Sequence, residues 1–234
     1  LLKQFKKNNF ILGVDSSYKM VKLALKNKVP CLKKIFNKKT SNQIKKKYGK
    51  FNIILANHVL NHADNDLSFL NGCINLLETN SILIIEVPYF LNLIKNLEYD
   101  TIYHEHLSYI TLLPLEKFLN KIDMKIFHVE EKDIHGGSLR IFMSRINDFE
   151  KTKKLINLFK KEKKAKLNSI NKLLEFSKKV RENRFELSKV LTNLKKKKKS
   201  VIALSTPAKG MTLLNYCKLD KDFIDFATEK SKLK

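Results

Sequence analysis

Cysteine is sparse in this chain of 234 residues, with only Cys31, Cys73 and Cys217. They are widely spaced, odd in number and form no CxxC pair, so neither a disulfide framework nor a cysteine zinc site is indicated. Each is expected to act as a small buried or half-buried apolar residue. Long hydrophobic runs are also missing, which excludes a bilayer-spanning helix. The chain opens on Leu1-Leu2-Lys3-Gln4 with no initiator Met and no signal-peptide pattern. The expectation is a cytoplasmic protein without a membrane partner. Acidic residues are few, 23 against 47 Lys and Arg, for a net charge of +24. A basic chain attracts polyanions. Here, however, the lysines run along nearly the whole length and do not mark one patch, so a nucleic-acid partner is not expected.

What is present is a globular composition, 43% hydrophobic, enough to bury a core. Apolar runs alternate with helical patterns, the α/β signature. Strands are expected over 9–14, 29–36, 51–56 and 81–87, with helices over 18–27, 41–48, 66–77 and 113–121. Two final strands, 124–129 and 138–144, join through His135-Gly136-Gly137. This order suits a doubly wound Rossmann-like sheet, which binds ligands at the carboxyl ends of its strands. The organisation expected is a first domain over 1–148, a helical connector over 149–199 with a solvated basic face, and the start of a second Rossmann-like domain over 200–234.

Chemistry-bearing residues fall in four places. Asp15, with Ser16 beside it, ends the first strand, where an acid can accept from ribose hydroxyls or simply cap a helix. Ala56, Asn57 and His58 close the strand 51–56, and His62 follows one helical turn after His58. That pair has metal spacing but lacks a third ligand. The densest cluster is DTIYHEHLSY, 100–109, with Tyr103, His104, Glu105 and His106. Imidazole titrates near neutral pH, where proton transfer works best, so acid–base work suits these histidines better than metal binding. HGGSLR, 135–140, combines a tight backbone at Gly136 with Arg140, a partner for phosphate or a hairpin neighbour. The loop with Pro207, Lys209 and Gly210 is not a Walker loop, yet it offers N–H groups to a diphosphate at a helix start.

Together, DTIYHEHLSY, HGGSLR and PAKGMTLLNY resemble, in order and spacing, the sugar C-methyltransferases that act on 4-keto deoxysugar nucleotides. These belong to the broader class I methyltransferase-domain proteins. The resemblance runs from Asn9 to the last residue. It implies S-adenosylmethionine as methyl donor and His106 as general base, with Tyr103, Glu105 and His62 in the same active site. It implies Asp15, Ser16, Ala56, Asn57 and His58 at the cofactor, and His135, Gly136, Arg140, Pro207, Lys209 and Gly210 at a nucleotide sugar. The positive field would suit that sugar's diphosphate.

The chain departs from the family pattern at both ends. The family's cysteine-rich zinc domain, its first strand and its Gly-rich loop are expected to lie outside this chain, and the carboxyl end falls inside the second α/β unit. Zinc is therefore not expected here, and a poor affinity of this piece for S-adenosylmethionine is. A methyltransferase with another acceptor and a basic nucleic-acid-binding module are the competing readings.

Overall fold

The computed structural model describes residues 1–146, 148–205 and 207–229. A 3-10 turn, Leu2–Asn8, leads into β1 (Gly13–Asp15), α1 (Tyr18–Lys26), β2 (Cys31–Lys33) and α2 (Lys38–Tyr48). Next come β3 (Phe51–Asn57), the turn Leu60–His62, α3 (Asp66–Leu76) and β4 (Leu77–Pro88). After α4 (Phe90–Asn96) and the turn Tyr99–Thr101 lie α5 (Leu112–Asn120), β5 (Met124–Lys132) and β6 (Ser138–Arg145). Helices α6 (Lys153–Ala165) and α7 (Ile170–Lys196) lead to β7 (Ile202–Leu204), α8 (Ala208–Cys217) and β8 (Phe226–Thr228). The α/β class expected from the alternation is the one observed.

Helix starts follow local chemistry. Ser17, Asn37 and Asn65 each cap a helix by accepting from a backbone N–H in its first turn, of Met20, Thr40 and Ser68. β3 pairs with β4 in parallel, and β6 runs antiparallel between β4 and β5, giving the order β3-β4-β6-β5. β1 and β2 form a separate parallel pair, as do β7 and β8.

The core fills one face of the four-stranded sheet. Leu83, Ile85 and Val87 of β4 alternate inward beside Leu139, Ile141 and Met143 of β6, as a half-covered strand dictates. Phe69, Leu70 and Cys73 of α3, Leu112, Leu115 and Leu119 of α5, and Leu155 and Leu158 of α6 belong to the same buried cluster. A smaller cluster of Leu191, Cys217 and Leu219 joins α7 to the carboxyl-terminal elements.

Some boundaries differ from expectation. β1 is Gly13–Asp15 rather than 9–14, and among the described residues only β2 hydrogen-bonds to it. β4 begins four residues before Ser81 because α3 runs into it without a loop. A cleft of about 470 Å³ opens between Gly13-Val14 and the outer edge of β3, with Val14 and Ala56 both on its wall.

Candidate active site

Register assembles the first part of the site. Asn57, Glu86 and Arg140 are successive partners across β3, β4 and β6, and Glu130 of β5 faces Arg140 in turn. The row lies near the carboxyl ends of β3 and β4. Glu86 is only 3% exposed, and a carboxylate that deep needs partners. It has them on both oxygens. Oε2 accepts from Arg140 Nε at 2.9 Å and pairs with Nη2 at 2.7 Å, while Oε1 meets His58 Nε2 at 3.2 Å. Arg140, expected at a substrate phosphate, thus has its guanidinium engaged by Glu86 and, at 3.5 Å, by Glu130.

The 100–109 segment folds back over the turn after β3. Leu107 N donates to Asn61 O at 2.8 Å, and His62 Nδ1 donates to Glu105 O at 2.6 Å. The His62 and His106 rings meet edge-on with centroids 4.9 Å apart. His106 Nδ1 donates to Thr101 O at 2.9 Å, which leaves Nε2 as the acceptor, 3.0 Å from the Tyr103 hydroxyl. Burial lowers the His106 pKa, the Thr101 carbonyl raises it, and nearby His62 and Lys209 lower it further. The net direction is down, which favours the neutral imidazole. Burial, with Glu105 in second place, raises the Tyr103 phenol, which stays protonated. The carboxylate of Glu105 itself is 61% exposed and approaches His104, 90% exposed; it acts on His106 through its charge, as the smallest of the influences that raise or lower that pKa. Its backbone, rather than its side chain, orients a histidine.

The HGG turn and the carboxyl-terminal loop come to the same place. His135 stacks edge-on against His58 at 4.7 Å, and Lys209 Nζ donates to His135 O at 3.3 Å. The turn demands glycine at Gly137, where φ is +112° and a Cβ would sit 2.2 Å from Asn92 Nδ2. At Gly136 a Cβ would meet the Glu98 carboxyl. Pro207 caps α8 and Gly210 lies in its first turn; Thr206 of the same loop lies outside the described residues. Among the described residues, no three His, Cys, Asp or Glu converge as a metal site.

On the remaining side, Asp15 Oδ1 accepts from Ser17 N at 2.7 Å, and the second oxygen has no partner among the described residues. Ser16 is exposed, and Ala56 is buried at the cleft wall. Asp15 and Asn57 each follow a cleft-lining residue. Two residues were not singled out from sequence. Glu86 sits inside the apolar run ILIIEVP, and a lone acid there is the signal that would have found it. Asn61 is 2% exposed, with neither atom of its carboxamide partnered among the described residues.

Comparison with known proteins gives the family. Residues 1–129 match the model of a methyltransferase domain, and residues 133–234 that of the C-methyltransferase C-terminal domain. The C-methyltransferase NovU of Streptomyces niveus is 25% identical over 225 residues, which is 96% of this chain and 54% of NovU. The chain thus spans about half the length of that curated relative. Among solved structures, the plantazolicin methyltransferase BpumL in complex with SAH is 13% identical, with a TM-score of 0.47 over 62% of this chain and 70% of its own. The magnesium protoporphyrin IX methyltransferase ChlM of Synechocystis PCC 6803 is 15% identical, with a TM-score of 0.43 over 58% of this chain and 64% of its own. Since the first model alone covers more than half of the sequence, the chain belongs to the methyltransferase-domain family, and its second part matches the C-methyltransferase C-terminal domain.

Proposed function

We propose that this protein is an S-adenosylmethionine-dependent C-methyltransferase that methylates a carbon beside the ketone of a nucleotide-linked keto-deoxysugar. The observation that carries the reading is the Tyr103–His106 pair. Nδ1–H is committed to a backbone carbonyl, so a neutral imidazole presents its basic nitrogen to a protonated phenol. A proton beside a ketone is acidified because the resulting charge spreads onto oxygen. His106 Nε2 takes that proton, and the C–H electron pair becomes the enolate. The Tyr103 hydroxyl turns from Nε2 to the developing oxyanion, a contact worth roughly 3–4 kcal/mol when well placed. His62, whose ring is fixed by the Glu105 carbonyl, walls the imidazole on its other side.

When bound, S-adenosylmethionine would supply an electrophilic methyl group for carbon and leave as a neutral thioether. The residues present fit it: Asp15 has a carboxylate oxygen spare for a diol, and Asn57 and His58 lie at the polar end of β3. Lys209 and the first turn of α8 offer positive charge and backbone N–H groups to a diphosphate. In this reading residues 1–148 form the methyltransferase domain, 149–199 the connector, and 200–234 the beginning of the nucleotide-sugar domain.

The test is exchange of the substrate's α-proton in deuterated water without methyl donor, followed by mass spectrometry on a nucleotide-linked 4-keto-deoxysugar. Exchange is expected with the native protein and should fall by about 10²–10⁴ in His106→Ala. Exchange that survives this substitution would remove His106 as the base. Methyl transfer to an oxygen or nitrogen acceptor without exchange would favour a different acceptor class.

A further inference from the structure

The most unusual group outside the Tyr103–His106 pair is the buried Glu86 carboxylate. It grips His58 twice. Its backbone carbonyl accepts from His58 N at 2.7 Å, and its Oε1 meets His58 Nε2 at 3.2 Å. His58 is held between these contacts with φ at +52°, a conformation that a β-carbon disfavours and that surrounding bonds must impose. The edge-on ring of His135 braces the imidazole from the side. Glu86 is held in turn by Arg140, which Glu130 and, through it, Lys132 restrain. Such a cross-strand chain of five side chains is more than a fold needs at a strand end.

We propose that Glu86 is a positioning residue that commits His58 to the Nε2–H tautomer, so that Nδ1 is kept as a hydrogen-bond acceptor for a hydroxyl or amino group of the ligand. A carboxylate only accepts, so the nitrogen beside it must carry the proton, and the other nitrogen of a neutral imidazole keeps its lone pair. Nδ1 of His58 has no partner among the described residues. That the lone pair meets a ligand rests on the function proposed above; the tautomer does not.

Glu86→Gln tests this through an asymmetry in Arg140, which only donates. The new amide must turn its oxygen to Arg140, leaving its NH₂ to donate to His58 Nε2. His58 is then driven to the Nδ1–H tautomer, and its outward nitrogen changes from acceptor to donor with almost no change in shape. The full chain, with nitrogen-labelled histidine, is measured by long-range proton–nitrogen correlation at a pH of about 8, where imidazoles are neutral. His58→Asn identifies the resonance.

The native protein should show Nε2–H, Glu86→Asp the same, and Glu86→Gln the reverse. An Nδ1–H form in the native protein overturns the proposal, whether or not the variants fold. A lower unfolding midpoint in Glu86→Gln with the tautomer unchanged also overturns it, because that is the mark of a purely structural carboxylate. In the exchange assay Glu86→Gln should be slower by about tenfold, one lost hydrogen bond. An inverted tautomer with an unchanged rate would refute the contact with ligand. Failure of exchange in the native protein would sink the proposed function and leave the tautomer result standing.

Discussion

At the scale of single residues, the site is set by which nitrogen of each histidine is occupied. Nδ1 of His62 and of His106 donates to a carbonyl, whereas His58 points Nε2 at a carboxylate. Tyr103→Phe removes only the phenolic donor. Proton exchange should fall about 100-fold, with little change in the substrate concentration at half-maximal rate, because the lost contact belongs to the developing charge. An equal loss in the half-saturating concentration instead would place the hydroxyl on the bound ketone. Asn61 offers a second test. A buried carboxamide without partners opposes folding, and an apolar side chain of similar shape does not. Asn61→Leu should therefore stabilise the chain by about 1 kcal/mol in urea unfolding while weakening activity. A loss of stability would show that the carboxamide is paired after all.

Histidine burial also sets a pH dependence. His58 and His106 are both pushed below their ordinary value, chiefly by burial. Between their depressed folded values and about 6.5 the unfolded chain binds more protons than the folded one, so stability rises with pH. The contribution is complete above about 6.5 and is lost as pH falls through the folded values. Urea midpoints measured from pH about 5 to about 8 should rise, and His106→Gln should flatten the slope. A flat native profile would contradict the burial of both rings.

At the scale of elements, two joints hold the site in place. Glu162 of α6 is 3% exposed and accepts from Tyr89 Oη at 2.8 Å, Leu112 N at 2.7 Å and Leu113 N at 2.9 Å. It caps α5 from a different helix and ties both to the end of β4. Glu162→Ala leaves three donors unmet, so a loss of about 3–5 kcal/mol is expected in denaturant unfolding. A loss below 1 kcal/mol would mean that water replaces the carboxylate. The second joint is Gly137. Gly137→Ala meets both the positive φ and Asn92, and should cost about 1–3 kcal/mol; adding Asn92→Ala should recover only the steric part.

These joints explain what the sequence made legible. Short apolar runs, such as that of β4, declared the sheet, because a strand with two neighbours must bury both edges and a face. The motifs at 100–109 and 135–140 announced themselves by crowding titratable or glycine residues together. Helix α4 was not singled out, since seven residues carry too few turns to show a period. The Glu162 cap could not be read either. Its three donors lie 49 to 73 residues away along the chain, and on α6 it looks like any acid among lysines. Likewise, Arg140 looked like a free phosphate partner until register set it beside Glu86.

For the whole molecule, the dominant physical quantity is charge. With 47 basic and 23 acidic side chains, about half of the basic groups have no acid to pair with one to one. The ion pairs along α7, such as Lys172–Glu175 and Lys179–Glu175, are solvent-exposed and contribute little. Repulsion among the remaining cations should thus outweigh attraction, and it opposes the compact state. Raising potassium chloride from about 0.02 to about 0.2 M shortens the screening length from roughly 20 to 7 Å. The melting temperature should then rise, whereas a fold held by surface ion pairs would lose stability under the same salt. The same field attracts RNA. Because the lysines are spread along the chain rather than gathered in one stripe, labelled RNA should bind weakly, without sequence preference, and be released over that salt range. Anisotropy that persisted at the higher salt, and differed between sequences, would restore the nucleic-acid module as a serious reading of this chain.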